Sequence, residues 1–162
     1  MKIWLGSDHA GFELKKKVVH HLQKLVVEKG FEVHDLGSDS ATESVDYPDY
    51  ADAVARKIHA LTLIDTKNPA NSHITEIGIL VCGSAQGMAM RANKYPFVRA
   101  ALAWNIESAR LSREHNDANI LCLGCRLLDH DLALQMVDIF LATPFAGGRH
   151  QARVAKISAP IG

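Results

Sequence analysis

Short apolar runs alternate with stretches of helical periodicity along most of the chain, and this alternation constrains the fold more than any other feature. Five apolar runs predict strands: Lys2–Ser7, Phe31–Leu36, Glu76–Cys82, Arg99–Trp104 and Ala118–Gly124. Apolar residues at helical spacing predict helices between them, most clearly over Asp49–Leu61, Asn105–His115 and His130–Leu141. Such a chain builds a parallel sheet with helices on both faces, so we expect an α/β fold around five parallel strands.

Length and charge limit the class of protein. A chain of 162 residues can form one domain with a sizeable core, so we expect a single domain over residues 1–162. Lys plus Arg and Asp plus Glu both number 18, and this balance argues against nucleic acid or an anionic membrane as a partner. No apolar run predicts a signal peptide or a membrane span, and three cysteines do not form a disulfide framework. We therefore expect a cytoplasmic protein.

Chemically capable residues follow four of the predicted strands or the polar loops behind them. In a parallel sheet built with right-handed crossovers, the carboxyl ends of the strands share one edge, and ligands bind there. The residues at this edge are Asp8, His9, Asp35, Asp46, Tyr47, Cys82, Gly83, Ser84, Cys125 and Arg126. We expect them to form the functional site.

The stretch ILVCGSAQGMAM, from Ile79 to Met90, places a thiol where a buried strand turns into a helix. The turn from Gly83 to Gly87 exposes backbone N–H groups that suit a phosphate or an oxyanion. A thiol beside such donors is expected to ionise more easily than a free cysteine. The alternative is that Cys82 is a small core residue. Met88 and Met90 are interpreted as core residues of the following helix.

Two further clusters are candidates for binding or catalysis. His115–Asp117 follows a helix and precedes a strand, where polar residues also serve simply to stop a helix. A basic cluster of three guanidiniums and an imidazole is typical of a phosphate clamp, and its alternative is a solvated tail. The cluster consists of Arg126, Arg149, His150 and Arg153. A metal or redox role for the Cys122-x-x-Cys125 pair is not expected, because Cys122 falls inside a strand.

Together these motifs resemble the ribose-5-phosphate isomerase B family, which includes galactose-6-phosphate and allose-6-phosphate isomerases. The resemblance runs from about Lys2 to Ile157 and rests on GSDHAGFELK, DYPDYA, GILVCGSAQGMAMRANK, SREHNDANILCLGCR and GGRHQARV. It implies a Rossmann-like three-layer α/β/α sandwich that works as a homodimer or tetramer without a metal or cofactor. It also implies an aldose–ketose isomerase that acts through an enediolate, in the pentose phosphate pathway.

The resemblance assigns catalytic roles to three residues. Cys82 stands where the cysteine-type members carry the base, and Gln86 stands where other members carry a glutamate. Ser84 matches a hydroxyl that assists the thiol. His115 matches the acid that opens the sugar ring.

Binding roles follow from the same comparison. Asp8, His9 and Asn116 match sugar or phosphate ligands, and Asp46 and Tyr47 match the mouth of the site. Enediolate stabilisation is implied for the loop Gly83, Ser84, Ala85, Gln86 and Gly87. Phosphate binding is implied for Arg126, Arg149 and Arg153, and the tail 143–162 is expected to bring the last two to a neighbouring subunit.

The chain departs from the family pattern at Ala85, at Arg91 and in a longer Thr62–Thr75 segment. A methyl at position 85 is expected to narrow the sugar site or to hinder a positive φ. Ribose 5-phosphate is the expected substrate, with a hexose 6-phosphate as the alternative. A non-catalytic sugar-phosphate sensor and a dinucleotide-dependent oxidoreductase are the rival classes, and the second lacks its glycine fingerprint.

Overall fold

The computed structural model describes residues 1–62 and 75–159. The alternating pattern forms β1 (Lys2–Ser7), α1 (Phe12–Lys29), β2 (Glu32–Asp35), α2 (Tyr47–Thr62), β3 (Glu76–Cys82), α3 (Gln86–Ala92), β4 (Ala100–Ala103), α4 (Ile106–Asn116), β5 (Ile120–Gly124), α5 (His130–Ala142) and α6 (Gln151–Ser158). A short 3₁₀ turn, Gly148–His150, precedes α6. Apart from Thr62 and Thr75, the segment interpreted as an insertion lies outside the described residues.

The five strands form one parallel sheet in the order β2-β1-β3-β5-β4. The chain leaves β1 toward β2 on one side and leaves β3 toward β4 on the other. The carboxyl ends of β1 and β3 therefore border the crevice where a doubly wound sheet binds its ligands. Because Ser7 pairs with Val81, the residues that follow these two strands emerge side by side.

Helices cover both faces of the sheet, which confirms the predicted three-layer sandwich. One core lies between the sheet and α1, α4 and α5, and a second lies between the sheet and α2 and α3. In β3, Ile79 and Val81 belong to the first core, whereas Leu80 belongs to the second, and all three are fully buried. A strand buried on both faces has no reason to alternate polar and apolar residues, which explains the unbroken apolar run.

The predicted bounds of the strands and of α2, α4 and α5 lie within two residues of the observed ones, whereas α6 was not predicted. Helix α2 begins at Tyr47, two residues before the predicted start at Asp49. Proline is tolerated in the first turn of a helix because the N–H that it lacks has no helical partner there.

Met88 is fully buried as expected, but the prediction for Met90 is wrong, because this side chain is 65% exposed. Within residues 1–62 and 75–159, no helix has the length and hydropathy to cross a bilayer.

Candidate active site

The turn after β1 contacts the thiol at the end of β3. Cys82 Sγ donates a hydrogen bond to Asp8 Oδ2 at 3.0 Å, and the Gly11 N–H donates to Asp8 Oδ1 at 2.9 Å. The Asp8 carboxylate is nearly buried, at 5% exposure. A side chain at position 11 would overlap the Val81 carbonyl, so glycine is required for this close approach. Asp8 and Cys82, which the sequence predicts at the same edge of the sheet, are thus joined by a direct hydrogen bond.

The environment of Cys82 makes the thiol harder to ionise. Burial, followed by the hydrogen bond and negative charge of Asp8, raises the pKa of Cys82 to about 11. Backbone N–H groups of Ala85 and Gly83 act in the opposite direction but are outweighed. The prediction of an easily ionised thiol is therefore wrong for this structure, because sequence pattern revealed the N–H donors but not the carboxylate.

The loop between β3 and α3 has an unusual backbone at Ala85. This residue has φ 60° and ψ 0°, the left-handed conformation, so its methyl does not prevent a positive φ. The methyl is fully buried in the second core and does not face the crevice. The expectation that alanine prevents a positive φ at this position is therefore wrong, and the buried methyl argues against a narrowed sugar site. Ser84 and Gln86 on either side are exposed.

Two side chains from other elements close over this loop. A Cβ on Gly87 would lie 2.5 Å from the Tyr47 hydroxyl, so the phenol rests directly on the loop backbone. A Cβ on Gly83 would lie 3.3 Å from the guanidinium of Arg126. The Arg126 N–H also donates to the Gly83 carbonyl at 3.0 Å. A cation and a phenol thus stand at the rim of the thiol turn, as the sequence predicts.

His9 joins the turn after β1 to the loop before α2. The Val45 N–H donates to His9 Nδ1 at 3.2 Å. A ring nitrogen that accepts a hydrogen bond carries no proton, so the neutral ring is protonated at Nε2. Asp46 follows directly and is exposed at the start of α2. We call this group the thiol half-site; it consists of Asp8, His9, Asp46, Tyr47, Cys82–Gly87 and Arg126.

The structure places His115 and Asn116 elsewhere. They form the last turn of α4, just before the first residue of β5, whereas Cys82 pairs with Gly124 at the other end of that strand. The five residues of β5 span about 13 Å, so these groups lie at opposite edges of the sheet within one chain. The signal was present in the sequence, because a helix that leads into a strand ends at the amino edge of a parallel sheet.

The C-terminal tail meets His115 at this amino edge. The His115 and His150 rings stack at 4.3 Å with 5° between their planes, and the Ala146 N–H donates to the Glu114 carbonyl at 2.9 Å. Arg149 Nε lies 3.5 Å from His150 Nε2. We call this group the imidazole half-site; it consists of His115, Asn116, Arg149, His150 and Arg153. The stacking of His150 on His115 was not predicted, and no sequence pattern indicates it.

The fold is that of an α/β protein, and its two half-sites contain the components of a proton-transfer site for a phosphorylated substrate. The thiol and the imidazole are groups that can transfer protons, and the guanidiniums are groups that bind phosphate. In residues 1–62 and 75–159, no group of three or more His, Cys, Asp or Glu could hold a metal ion.

Comparison with known proteins identifies the family. The ribose/galactose isomerase family model matches residues 3–157, so the chain belongs to this family. The chain is 42% identical to ribose-5-phosphate isomerase B of Escherichia coli, over 98% of this chain and 95% of that protein. A ribose 5-phosphate isomerase structure from Thermotoga maritima is 46% identical, with 97% of each chain covered and a TM-score of 0.79.

A second structure is similar along the same length. It is ribose-5-phosphate isomerase B of Mycoplasma genitalium with bound ribulose-5-phosphate, 39% identical over 96% of this chain and 93% of that chain, with a TM-score of 0.84.

Proposed function

We propose that the chain is an aldose–ketose isomerase that interconverts ribose 5-phosphate and ribulose 5-phosphate through an enediolate. The observation that carries this proposal is the Cys82 thiol, held by Asp8 at the topological switch point beneath Arg126. The names of the relatives above support the same reaction and substrate. Phosphorylated sugars are retained inside cells by their charge, so we place this activity in the cytoplasm.

Cys82 is the proposed base that moves a proton between the two carbons of the enediolate. The other position at which family members carry the base is occupied here by Gln86, and its amide cannot take up a proton. Because the thiol is the resting form, its proton must leave first, and the Asp8 carboxylate is the acceptor in contact with it. The Gly83 and Ala85 N–H groups point toward the sulfur and stabilise negative charge at this turn.

The phosphate and the sugar ring require the imidazole half-site. Arg149, Arg153 and Asn116 are proposed ligands, and His115 is the proposed acid that opens the ring. A five-carbon sugar phosphate cannot bridge both edges of one sheet, so we propose that a second copy of the chain supplies the imidazole half-site to each thiol half-site. The active enzyme is then a homodimer, or a tetramer built from such dimers.

Turnover and complementation test these assignments. Wild-type protein is expected to form ribulose 5-phosphate from ribose 5-phosphate without added metal, and Cys82→Ala is expected to lose ~10²–10⁴-fold in rate while still binding the sugar phosphate. Cys82→Ala chains mixed with Arg149→Ala/Arg153→Ala chains are expected to regain about one quarter of wild-type activity, since half of the dimers are mixed and each has one intact site. No recovery in confirmed mixed dimers would place the arginines in their own chain's site.

The main alternative is a hexose 6-phosphate substrate, which the family also includes. Since the Ala85 methyl is buried in the core, the preference for a pentose rests on the relatives and on the arginine clamp. We expect kcat/KM to be higher for ribose 5-phosphate than for allose 6-phosphate or galactose 6-phosphate in the same buffer. A hexose phosphate that matches it would overturn the pentose assignment and leave the isomerase assignment intact.

A further inference from the structure

The turn that carries His115 and Asn116 is held by a largely buried network of ion pairs. The proposed reaction assigns no role to these side chains. Asp117 Oδ2 accepts from Arg99 Nη2 at 2.8 Å, and Asp117 Oδ1 accepts from Arg113 Nη1 at 2.8 Å. The three side chains are only 14%, 8% and 16% exposed for Arg99, Arg113 and Asp117. One carboxylate thus holds two guanidiniums, one from its own helix and one from the residue before β4.

The same guanidiniums also bind the backbone of the turn. Arg99 Nε donates to the carbonyl oxygens of Asn116 at 3.1 Å and Asp117 at 2.8 Å, and Arg113 Nη1 donates to the Ala118 carbonyl at 2.7 Å. Carbonyls at a helix C-terminus lack helical partners and carry partial negative charge. One carboxylate balances the charge of only one of the two guanidiniums. The partial negative charge of these carbonyl oxygens stabilises the other.

Two residues of this region, Asp117 and Phe97, have a left-handed backbone. Asp117 caps α4 with φ 48° and ψ 42°, in the left-handed region. Phe97, just before Arg99, has φ 66°, and its carbonyl accepts from Asn119 Nδ2 at 2.8 Å and from Arg99 Nη1 at 3.3 Å. Residues outside the common φ regions persist where their surroundings over-determine them, and such strain clusters at functional sites.

These contacts hold the backbone that directly follows His115. The carbonyl of Asn116 is bound by Arg99, and its neighbour Asp117 is held on both carboxylate oxygens. All three Arg99 side-chain nitrogens donate hydrogen bonds to protein oxygens, so the guanidinium is engaged in holding this turn.

We propose that Arg99 and Asp117 are positioning residues that hold the end of α4 so that His115 meets the sugar ring. This inference rests on the proposed function, in which His115 opens that ring. A displacement of ~1 Å at a catalytic group can cost ~10²-fold in rate. A turn that is fixed in position therefore maintains the rate of ring opening.

The test uses Arg99→Gln and the isosteric Asp117→Asn. Asparagine tolerates the left-handed conformation, so this variant removes charge without changing the backbone preference. The matched control is Arg110→Gln, on the exposed side of the same helix, where Arg110 pairs with Glu107 and Glu114. All variants are made in the full chain, and their folding is followed by circular dichroism and Tm.

The diagnostic kinetic readout is a ratio. In D₂O, exchange of the C1 proton of ribulose 5-phosphate uses Cys82 and an open-chain substrate, whereas conversion of ribose 5-phosphate to ribulose 5-phosphate begins with the opening of a furanose ring. In Arg99→Gln and Asp117→Asn, we expect conversion of ribose 5-phosphate to fall by about 10–100-fold and the ratio of ribulose exchange to ribose conversion to rise by about tenfold. The control is expected to stay within about twofold of wild type. A parallel loss of exchange and conversion, or an unchanged ratio, would overturn the positioning role.

A second readout does not depend on turnover. Stacking on His150 is expected to shift the His115 ring resonances in NMR spectra, and we expect this shift to be lost in Arg99→Gln and retained in Arg110→Gln. Unchanged ring resonances would refute the positioning role whatever the activity. If the wild-type protein shows neither exchange nor conversion, the proposed function fails, while the ring resonances still decide whether Arg99 and Asp117 hold His115.

Discussion

Replacing Asp8 by asparagine is expected to make Cys82 more reactive toward alkylating reagents while leaving the fold intact. Burial and Asp8 together raise the pKa of Cys82 from its ordinary value of 9.0 to about 11. At pH 7.5 the thiolate fraction is then about 0.03%, against about 3% for a thiol of pKa 9, a difference of about 100-fold in alkylation rate. Asp8→Asn removes the charge but not the burial, so we expect about tenfold faster alkylation at pH 7.5.

The alkylation rate of Cys82 is expected to rise with pH, because the thiolate is the reactive form. A raised pKa means that the thiolate forms only at higher pH, so wild-type alkylation should keep increasing through pH 9 and reach half its maximum near pH 11. In Asp8→Asn this midpoint moves down. The rate is measured with iodoacetamide from pH 6 to 11, and peptide mapping separates Cys82 from the buried Cys122 and the half-buried Cys125.

Asp46→Asn is the matched control, because it removes an exposed carboxylate at the same edge that is not among the groups shifting the pKa of Cys82. A wild-type midpoint at or below pH 9 would contradict a raised pKa of Cys82. An equal acceleration in Asp46→Asn would show that general charge, not the hydrogen bond at 3.0 Å, sets the reactivity of Cys82.

Three further substitutions test the packing around the site. Ala85→Gly relieves a left-handed alanine but loses a buried methyl, so we expect the free energy of unfolding to change by less than about 1 kcal/mol and the preference among sugar phosphates to stay the same; a shift toward hexose phosphates would contradict the buried position of the methyl. Gly87→Ala would displace the Tyr47 ring, and a several-fold rise in KM for ribose 5-phosphate is expected; an unchanged KM would mean that the phenol does not contact the substrate. Phe140→Ala empties a fully buried position against Arg113 and should cost about 3–5 kcal/mol in urea unfolding; a loss below about 1 kcal/mol would be inconsistent with that burial.

Local patterns were sufficient for the architecture. Periodicity separates strands from helices because each period reflects which side chains share a face, and the run Ile79–Val81 is apolar because both faces of β3 are covered. Parallel connectivity then places Asp8 and Cys82 at the same edge of the sheet, and the strand order of the folded chain makes them neighbours. The family resemblance, now confirmed by the matching family model, rests on the same motifs.

Contacts between distant segments decided the chemistry of the site. The pKa of Cys82 depends on how deeply its sulfur is buried and on the direction of a carboxylate 74 residues away, and neither leaves a mark in the turn sequence. The direction of the Ala85 methyl depends on the packing of α2 against α3. The Asp117 carboxylate is bound by Arg99, which directly precedes β4, whereas Asp117 lies between α4 and β5. Propensity and periodicity report on residues near in sequence, whereas burial, charge and side-chain direction are set by elements that meet only in the folded chain, so only the tertiary structure determined them.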